Sequence, residues 1–398
     1  MAPAAAHNFC MHPSPNDDWP AWLRLLLTDG VGRDTARRLL AALGSAPAIF
    51  QASPAQLQAL ATPRQVQALL QEPPELAAHI ARTRHWLGQA SPTGARTVWT
   101  LGDADYPPQA LQLADPPLLL YAEGCAVLDA QRLWAAPALA IVGSRNPTHQ
   151  GRQTAQQMAQ ALCGAGCTVV SGLALGIDGA AHQGALDAAA TRSAHDGLTI
   201  AVVGTGLDRV YPRQHQALAR HIAAHGLLLS EYPLGTPPLA AHFPQRNRLI
   251  AALGMGTLVV EAALHSGSLI TADLALELGR EVLAIPGSIH APQSRGCHAL
   301  IRQGATLVES VQDVWQALGP QAQPASLPAT TNDASMGAAA VGREAADLLQ
   351  HMGFDPVSLD ALQARCGLDT AALQAQLLTL ELDARVGRLP GGLFQRLG

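Results

Sequence analysis

The chain has 398 residues, 48% of them hydrophobic and 14% charged, with a net charge of -5. That is enough apolar material for more than one domain, and it excludes a uniformly basic nucleic-acid coat. All 25 basic residues are arginine, so chemistry that needs a lysine is excluded: the Walker A loop, a pyridoxal Schiff base and the kinase strand lysine.

The first residues, 1–18, carry no basic n-region and no sustained apolar run, and are expected to be a disordered lead rather than a signal peptide. Residues 19–90 show helix spacing in Trp22, Leu25 and Leu26, then in Ala36, Leu39, Leu40 and Leu43. The turn Thr28-Asp29-Gly30-Val31-Gly32 resembles a helix-hairpin-helix or SAM-like unit. Such turns can present backbone N–H groups to a DNA phosphate, though most are only turns. Strand candidates at Val98–Thr100 and Leu118–Tyr121 follow, broken up by Pro107-Pro108 and Pro116-Pro117.

From about Ala138 to Leu318 strands and helices alternate. The strand candidates are Leu139–Val142, Thr168–Ser171, Thr199–Val203, Leu227–Ser230, Thr257–Val260, Val282–Ile285 and Thr306–Val308. Most are continuous apolar runs, the pattern of strands buried on both faces of a parallel sheet. An α/β, doubly wound domain over 95–318 is therefore expected. Residues 319–342 form a Pro/Ala/Ser-rich linker. The tail, 343–398, has the order of a small winged helix, three short helices and a hairpin. Its third helical stretch, 369–381, holds no cation, which argues against DNA reading and for protein contact or structural packing. No apolar run approaches the ~20 residues of a membrane helix. The six cysteines contain no C-x-x-C pair, and free buried thiols in a reducing compartment are expected. No metal site is expected, because the histidines show no ligand spacing.

Ligands of an open parallel sheet lie beyond the carboxyl ends of its strands. Those ends read Gly143-Ser144-Arg145, Ser171-Gly172-Leu173, Gly204 to Tyr211 with Arg209, and Glu231-Tyr232. Next come Arg246-Asn247-Arg248, Glu261, and Ser266-Gly267-Ser268. Glycine lets a phosphate approach the backbone, arginine forms bidentate pairs with it, and helix starts offer bare N–H groups. Together these turns predict a site for a ligand with more than one phosphate. Asp178 and His182 share a helix face at i and i+4; a capping aspartate and a packed or phosphate-facing histidine are expected before an acid/base pair. Glu261 is expected to orient Arg246 or Arg248.

The ordered motifs IVGSRNPTHQG, SGLALGIDGAAHQGAL, AVVGTGLDRVYPRQHQ, SEYPLGTPPLAAHFPQRNRLIAALG, VVEAALHSGSLITADLALELGREVLAIPGS and GCHALIRQGATLV resemble the DprA/Smf family. The resemblance is dense over 101–318, and one departure is Gly254, where many members carry serine. It implies an extended Rossmann-like domain, flanked by a SAM-like helical domain and a winged helix. It implies a cytoplasmic, non-enzymatic protein without cofactors that binds single-stranded DNA, protects it and loads the RecA recombinase during natural transformation. It also implies a homodimer through the Rossmann-like domain, for which Ile289, Leu300 and Leu307 are surface candidates. Carried onto this sequence, the DNA site comprises Gly143, Ser144, Arg145, Arg209, Arg246, Asn247, Arg248 and Ser266, Gly267, Ser268, with Tyr211 as an aromatic face for a base. Two other functions compete. A phosphoribohydrolase of similar fold would use a P-G-G-x-G-T signature, which Ser266-Gly267-Ser268 replaces here. A transcription regulator would read DNA through the cation-free tail helix.

Overall fold

A computed structural model describes residues 18–89, 94–189, 198–320, 348–349, 351–353, 355–383 and 385–396. All the strand candidates of 95–318 enter one nine-stranded sheet: β1 (Ala95–Thr100), β2 (Leu119–Gly124), β3 (Ala138–Val142), β4 (Thr168–Ser171), β5 (Thr199–Val202), β6 (Leu227–Ser230), β7 (Gly256–Val259), β8 (Glu281–Ala284) and β9 (Thr306–Leu307). Their spatial order is β1-β2-β6-β5-β4-β3-β7-β8-β9. The seven strands from β3 to β9 pair in parallel. The β1–β2 hairpin joins antiparallel through β2 and β6.

The continuous apolar runs are explained by a sheet covered on both sides. In β2, Leu120 and Ala122 enter one core cluster while Leu119 and Tyr121 enter the other. Ile200 and Val202 of β5 and their neighbours Ala201 and Val203 divide in the same way. A strand that alternates between two apolar layers has no polar face to show.

The chain forms two compact units, residues 1–325 and 326–398. The N-terminal helices belong to the first: α1 (Trp19–Leu27), α2 (Arg33–Leu43), α3 (Ala46–Gln51), α4 (Pro54–Gln58), α5 (Pro63–Leu70) and α6 (Leu76–Gly88). Ser53 with Gln56, and Thr62 with Gln65, close capping boxes at the starts of α4 and α5. These helices share their core with one face of the sheet. Leu23, Leu39, Ile49 and Leu69 cluster with Val98, Tyr121 and Leu228. Trp86 of α6 stands edge-on to Tyr121, centroids 6.1 Å apart, and Arg82 Nη1 donates to the Leu234 carbonyl at 2.9 Å. The helical region is thus a layer on the sheet rather than a separate body.

In the second unit, Val357–Ser358 pairs with the hairpin Val386–Leu389/Leu393–Arg396. Helices Leu359–Cys366 and Thr370–Leu382 bury Leu362, Leu373, Leu377 and Leu380 against Phe394. Residues 1–17, most of the 319–342 linker and most of the first tail helix lie outside the described residues. No helix among the described residues is long and apolar enough to cross a membrane.

Candidate nucleic-acid interface

β3 lies between β4 and β7, so the chain winds one way from β3 to β6 and then returns to the other side of β3. At such a switch point the loops after the two central strands diverge and leave a crevice. Here the crevice is a cavity of about 590 Å3. The turn after β3 supplies Gly143, Ser144 and Arg145, and the loop after β7 with the start of α12 (Gly267–Glu277) supplies Ser266, Gly267 and Ser268. α11 (His242–Leu253) supplies Phe243, Arg246, Asn247 and Ile250. Those four are spaced i, i+3, i+4, i+7, which is one face of a helix.

Each group has a local cause. Gly143 is glycine for packing: a Cβ there would stand 2.7 Å from Ile177 and 2.9 Å from the Glu261 carbonyl. Ser144 N donates to that carbonyl at 2.6 Å and Ser144 O accepts from Ile177 N at 3.1 Å, which fixes the turn and leaves Arg145 exposed. Its guanidinium lies 5.6 Å from the Phe243 ring centroid. Tyr211, 46% exposed, lies 5.5 Å from the same ring. Arg145, Tyr211, Phe243 and Arg246 line a second, small cavity of about 60 Å3. Ser266 caps α12 by accepting from Ser268 N, and its hydroxyl is 2.6 Å from that of Ser268. Asn247 Nδ2 reaches the Gly267 carbonyl at 3.4 Å.

Arg246 is 4% exposed. Its guanidinium fills the space a Cβ on Gly172 would occupy and donates to the Val202 carbonyl, while Nε has no partner. Burial pulls its pKa down to about 10, opposed by Asp178. Asp178 begins α9 (Ile177–Ala189) and accepts from Gly172 N at 3.1 Å and Ala174 N at 3.3 Å. Burial pushes its carboxyl upward, opposed by Arg246. His182 is fully buried. It accepts from Leu173 N at 3.3 Å and faces Thr199 Oγ1 at 2.7 Å, and burial, with His215 and Arg246, holds it down at about 3. It is a neutral packed histidine, and Asp178 is a turn-closing carboxylate. Leu173, between them, has φ of 58°, a conformation that L-residues avoid unless their surroundings impose it.

Three expectations are corrected. Arg248 does not reach the cavity. Two residues beyond Arg246 it faces another side of α11, where Nη1 meets the Asp115 carbonyl at 2.9 Å and Nη2 pairs with Glu231. Arg248 Nη1 also lies 3.4 Å from the Asp115 carboxylate, and Arg33 at the start of α2 binds both carboxylates, Glu231 at 2.8 Å and Asp115 at 2.6 Å. Burial pushes the Glu231 carboxyl up, opposed by Arg248 and Arg33. Glu261 orients neither arginine. Its carboxylate accepts from Thr148 N at 2.9 Å and Thr148 Oγ1 at 2.5 Å, fixing the residue that caps α8 (His149–Gly164). Leu300 is buried, whereas Ile289 and Leu307 are exposed.

Arg209 is exposed on the loop after β5 but does not line the cavity. The Thr28–Gly32 turn is held by Gln65 Nε2 donating to the Gly30 carbonyl at 2.8 Å and by an exposed Arg64–Asp29 pair. At Gly254 a Cβ would stand 2.7 Å from the Gly256 carbonyl, so a serine requires a local shift. Asn146 lines the cavity with the rest of the turn after β3, while Phe243 and His265 line it without having been singled out in the sequence. Only Phe243 had a legible signal, its i, i+3 relation to Arg246. No cluster of metal-ligating side chains occurs among the described residues.

Residues 97–319 match the family model of DNA recombination-mediator protein A, and residues 332–392 match that of the DprA winged helix domain. The chain belongs to the DNA recombination-mediator protein A family. It is 39% identical over 304 residues to protein Smf of Escherichia coli, covering 72% of this chain and 74% of that one. It is 47% identical over 212 residues to DNA processing protein DprA of Streptococcus pneumoniae, covering 53% and 71%. The X-ray structure of DprA from Streptococcus pneumoniae superposes with a TM-score of 0.62 at 35% identity, over 74% of this chain and 96% of that chain.

Proposed function

We propose that the chain binds single-stranded DNA at the switch-point cavity. In this reading it protects incoming strands and loads the RecA recombinase onto them during natural transformation. It works in the cytoplasm as a homodimer, without catalytic turnover. The observation that carries the reading is the convergence on one lip of an exposed guanidinium (Arg145), a helix start (Ser266–Ser268) and two adjacent aromatic rings (Phe243, Tyr211). Guanidinium and helix N–H groups suit phosphate, and aromatic faces suit any base. This combination favours a flexible strand whose bases can splay over a duplex whose bases are stacked inside. Affinity is expected to depend little on sequence and strongly on salt.

The family's DNA-processing relatives support the same reading. Support for the dimer is a sheet edge at β9 on which Leu307 is exposed, with Leu276 exposed on α12. Support for a non-enzymatic role is the state of the carboxylates: Glu261 is engaged with Thr148 and Asp178 with the backbone, so neither is placed as a free general base. Incubation with AMP should release no free base. Release would favour the phosphoribohydrolase instead.

The test is an electrophoretic shift of oligo(dT) against a duplex of equal length, with and without RecA. The single strand should shift at the lower protein concentration, and RecA should assemble on it faster when this protein is present. Equal or tighter duplex binding contradicts the DNA reading. An unchanged RecA rate contradicts the loading.

A further inference from the structure

We infer that the switch-point cavity is a mononucleotide site: it takes one nucleoside 5′-phosphomonoester, free or as the phosphorylated 5′ end of a strand. The inference rests on the reading of this cavity as a phosphate site and goes further in naming the unit that enters it. Three observations carry it. The first is size and depth. About 590 Å3 is the scale of small-molecule sites. The floor is buried, formed by Val142, Ile250 and Thr271 at 4%, 1% and 1% exposure. A buried floor suits a group that ends there.

The second is division of the lining. Ser266, Gly267 and Arg145 form a phosphate wall, and nothing lies within 4 Å of where a Cβ on Gly267 would stand. With Ile270, the floor residues Val142 and Ile250 make the apolar side of the lining, for sugar and base. The third is charge. Arg246 lines the same cavity as the start of α12, at 4% exposure, which puts a second, buried guanidinium in the lining. Asp178, the carboxylate nearest it, is already held by the N–H groups of Gly172 and Ala174. A terminal phosphate carries roughly −1.5 to −2 at neutral pH, against one charge for a phosphate inside a strand. It therefore gains more from two guanidinium groups and a helix dipole.

The experiment uses the full chain with labelled oligo(dT) prebound, titrated with dTMP, thymidine or inorganic phosphate. Calorimetry of dTMP alone and the Arg145→Ala variant run alongside. dTMP is expected to displace the strand at a concentration at least tenfold below inorganic phosphate, with thymidine inert. Ile270→Trp, which fills the apolar wall from its exposed edge, is expected to weaken dTMP at least tenfold. Comparing 5′-phosphorylated with 5′-hydroxyl oligo(dT) separates the two sources: a fivefold preference assigns the site to strand ends, and no preference to free nucleotide. If Arg145→Ala weakens strand binding while dTMP competes no better than phosphate, the inference is overturned and the DNA reading stands. If dTMP binds by calorimetry but neither it nor Arg145→Ala affects the strand, the mononucleotide site stands and the DNA reading falls. If dTMP neither binds nor competes and Arg145→Ala is silent, both fall.

Discussion

Arg246 and Arg248 lie two residues apart on α11 and meet opposite surroundings. Arg246 joins Phe243, Asn247 and Ile250 on the cavity face. Arg248 lies with buried Glu231 in a cluster that the partly exposed Asp115 and Arg33 complete, and that ties α11 to the N-terminal helices. Both are buried and each leaves its Nε without a partner, yet Arg246 lines the cavity and donates to a backbone carbonyl, whereas Arg248 is paired with the carboxylates of Glu231 and Asp115. Residues at i and i+2 do not share a helix face, so a pair of arginines that reads in sequence as one polyanion clamp is two devices. One shapes the site, and the other holds the helix that carries it.

Substitution can break that contrast. Arg248→Ala leaves Glu231 buried with only Arg33. Removing one partner of a buried ion pair costs about 3–5 kcal/mol, so the denaturant midpoint should fall sharply while the folded fraction keeps its affinity for oligo(dT) within about twofold. Loss of binding at full stability would mean that Arg248 touches DNA after all.

The packing behind the turn after β4 should show itself through pH. His182 is held down at about 3 when folded, against about 6.5 unfolded. Below pH 6.5 the unfolded chain therefore takes up a proton that the folded chain refuses. Stability from this group is present above that value and declines by up to about 1.4 kcal/mol per pH unit towards pH 3. The slope of unfolding free energy against pH should be shallower in His182→Gln over that window. Identical slopes would show that the histidine is not buried neutral.

Tyr211→Ala removes an exposed ring and should weaken oligo(dT) by roughly tenfold, within the ~1–3 kcal/mol of one stacked base, without moving the melting temperature. An unchanged affinity would restrict the contact to phosphate. The smallest effect is expected from deleting 343–398. The helix Thr370–Leu382 exposes Leu378 and Leu382 and carries no cation, so strand binding should be retained, and its loss would move the DNA contact to the tail.

The central strands were legible because they are buried on two sides and so read as unbroken apolar runs. The switch-point rule then placed the loops after β3 and β7 together. What stayed hidden were partners far apart in the chain. Glu261 caps α8 through Thr148, 113 residues away, and Arg248 answers to Asp115, 133 residues away. Local spacing carries no information on such pairs. The reason for Gly172 was equally invisible, since its missing Cβ makes room for a guanidinium 74 positions later in the chain. Helix periodicity would have separated Arg246 from Arg248 and drawn in Phe243, because 243, 246, 247 and 250 form a stripe that excludes 248.

The central claim is tested most directly by the salt dependence of oligo(dT) binding, measured by fluorescence anisotropy for the wild type and for Arg145→Ala. The variant is expected to bind about tenfold more weakly at moderate salt with an unchanged melting temperature. Its plot of log affinity against log salt should be flatter by about one unit, one phosphate contact having been lost. An affinity and slope equal to the wild type in the folded variant would contradict the placement of the strand at this cavity.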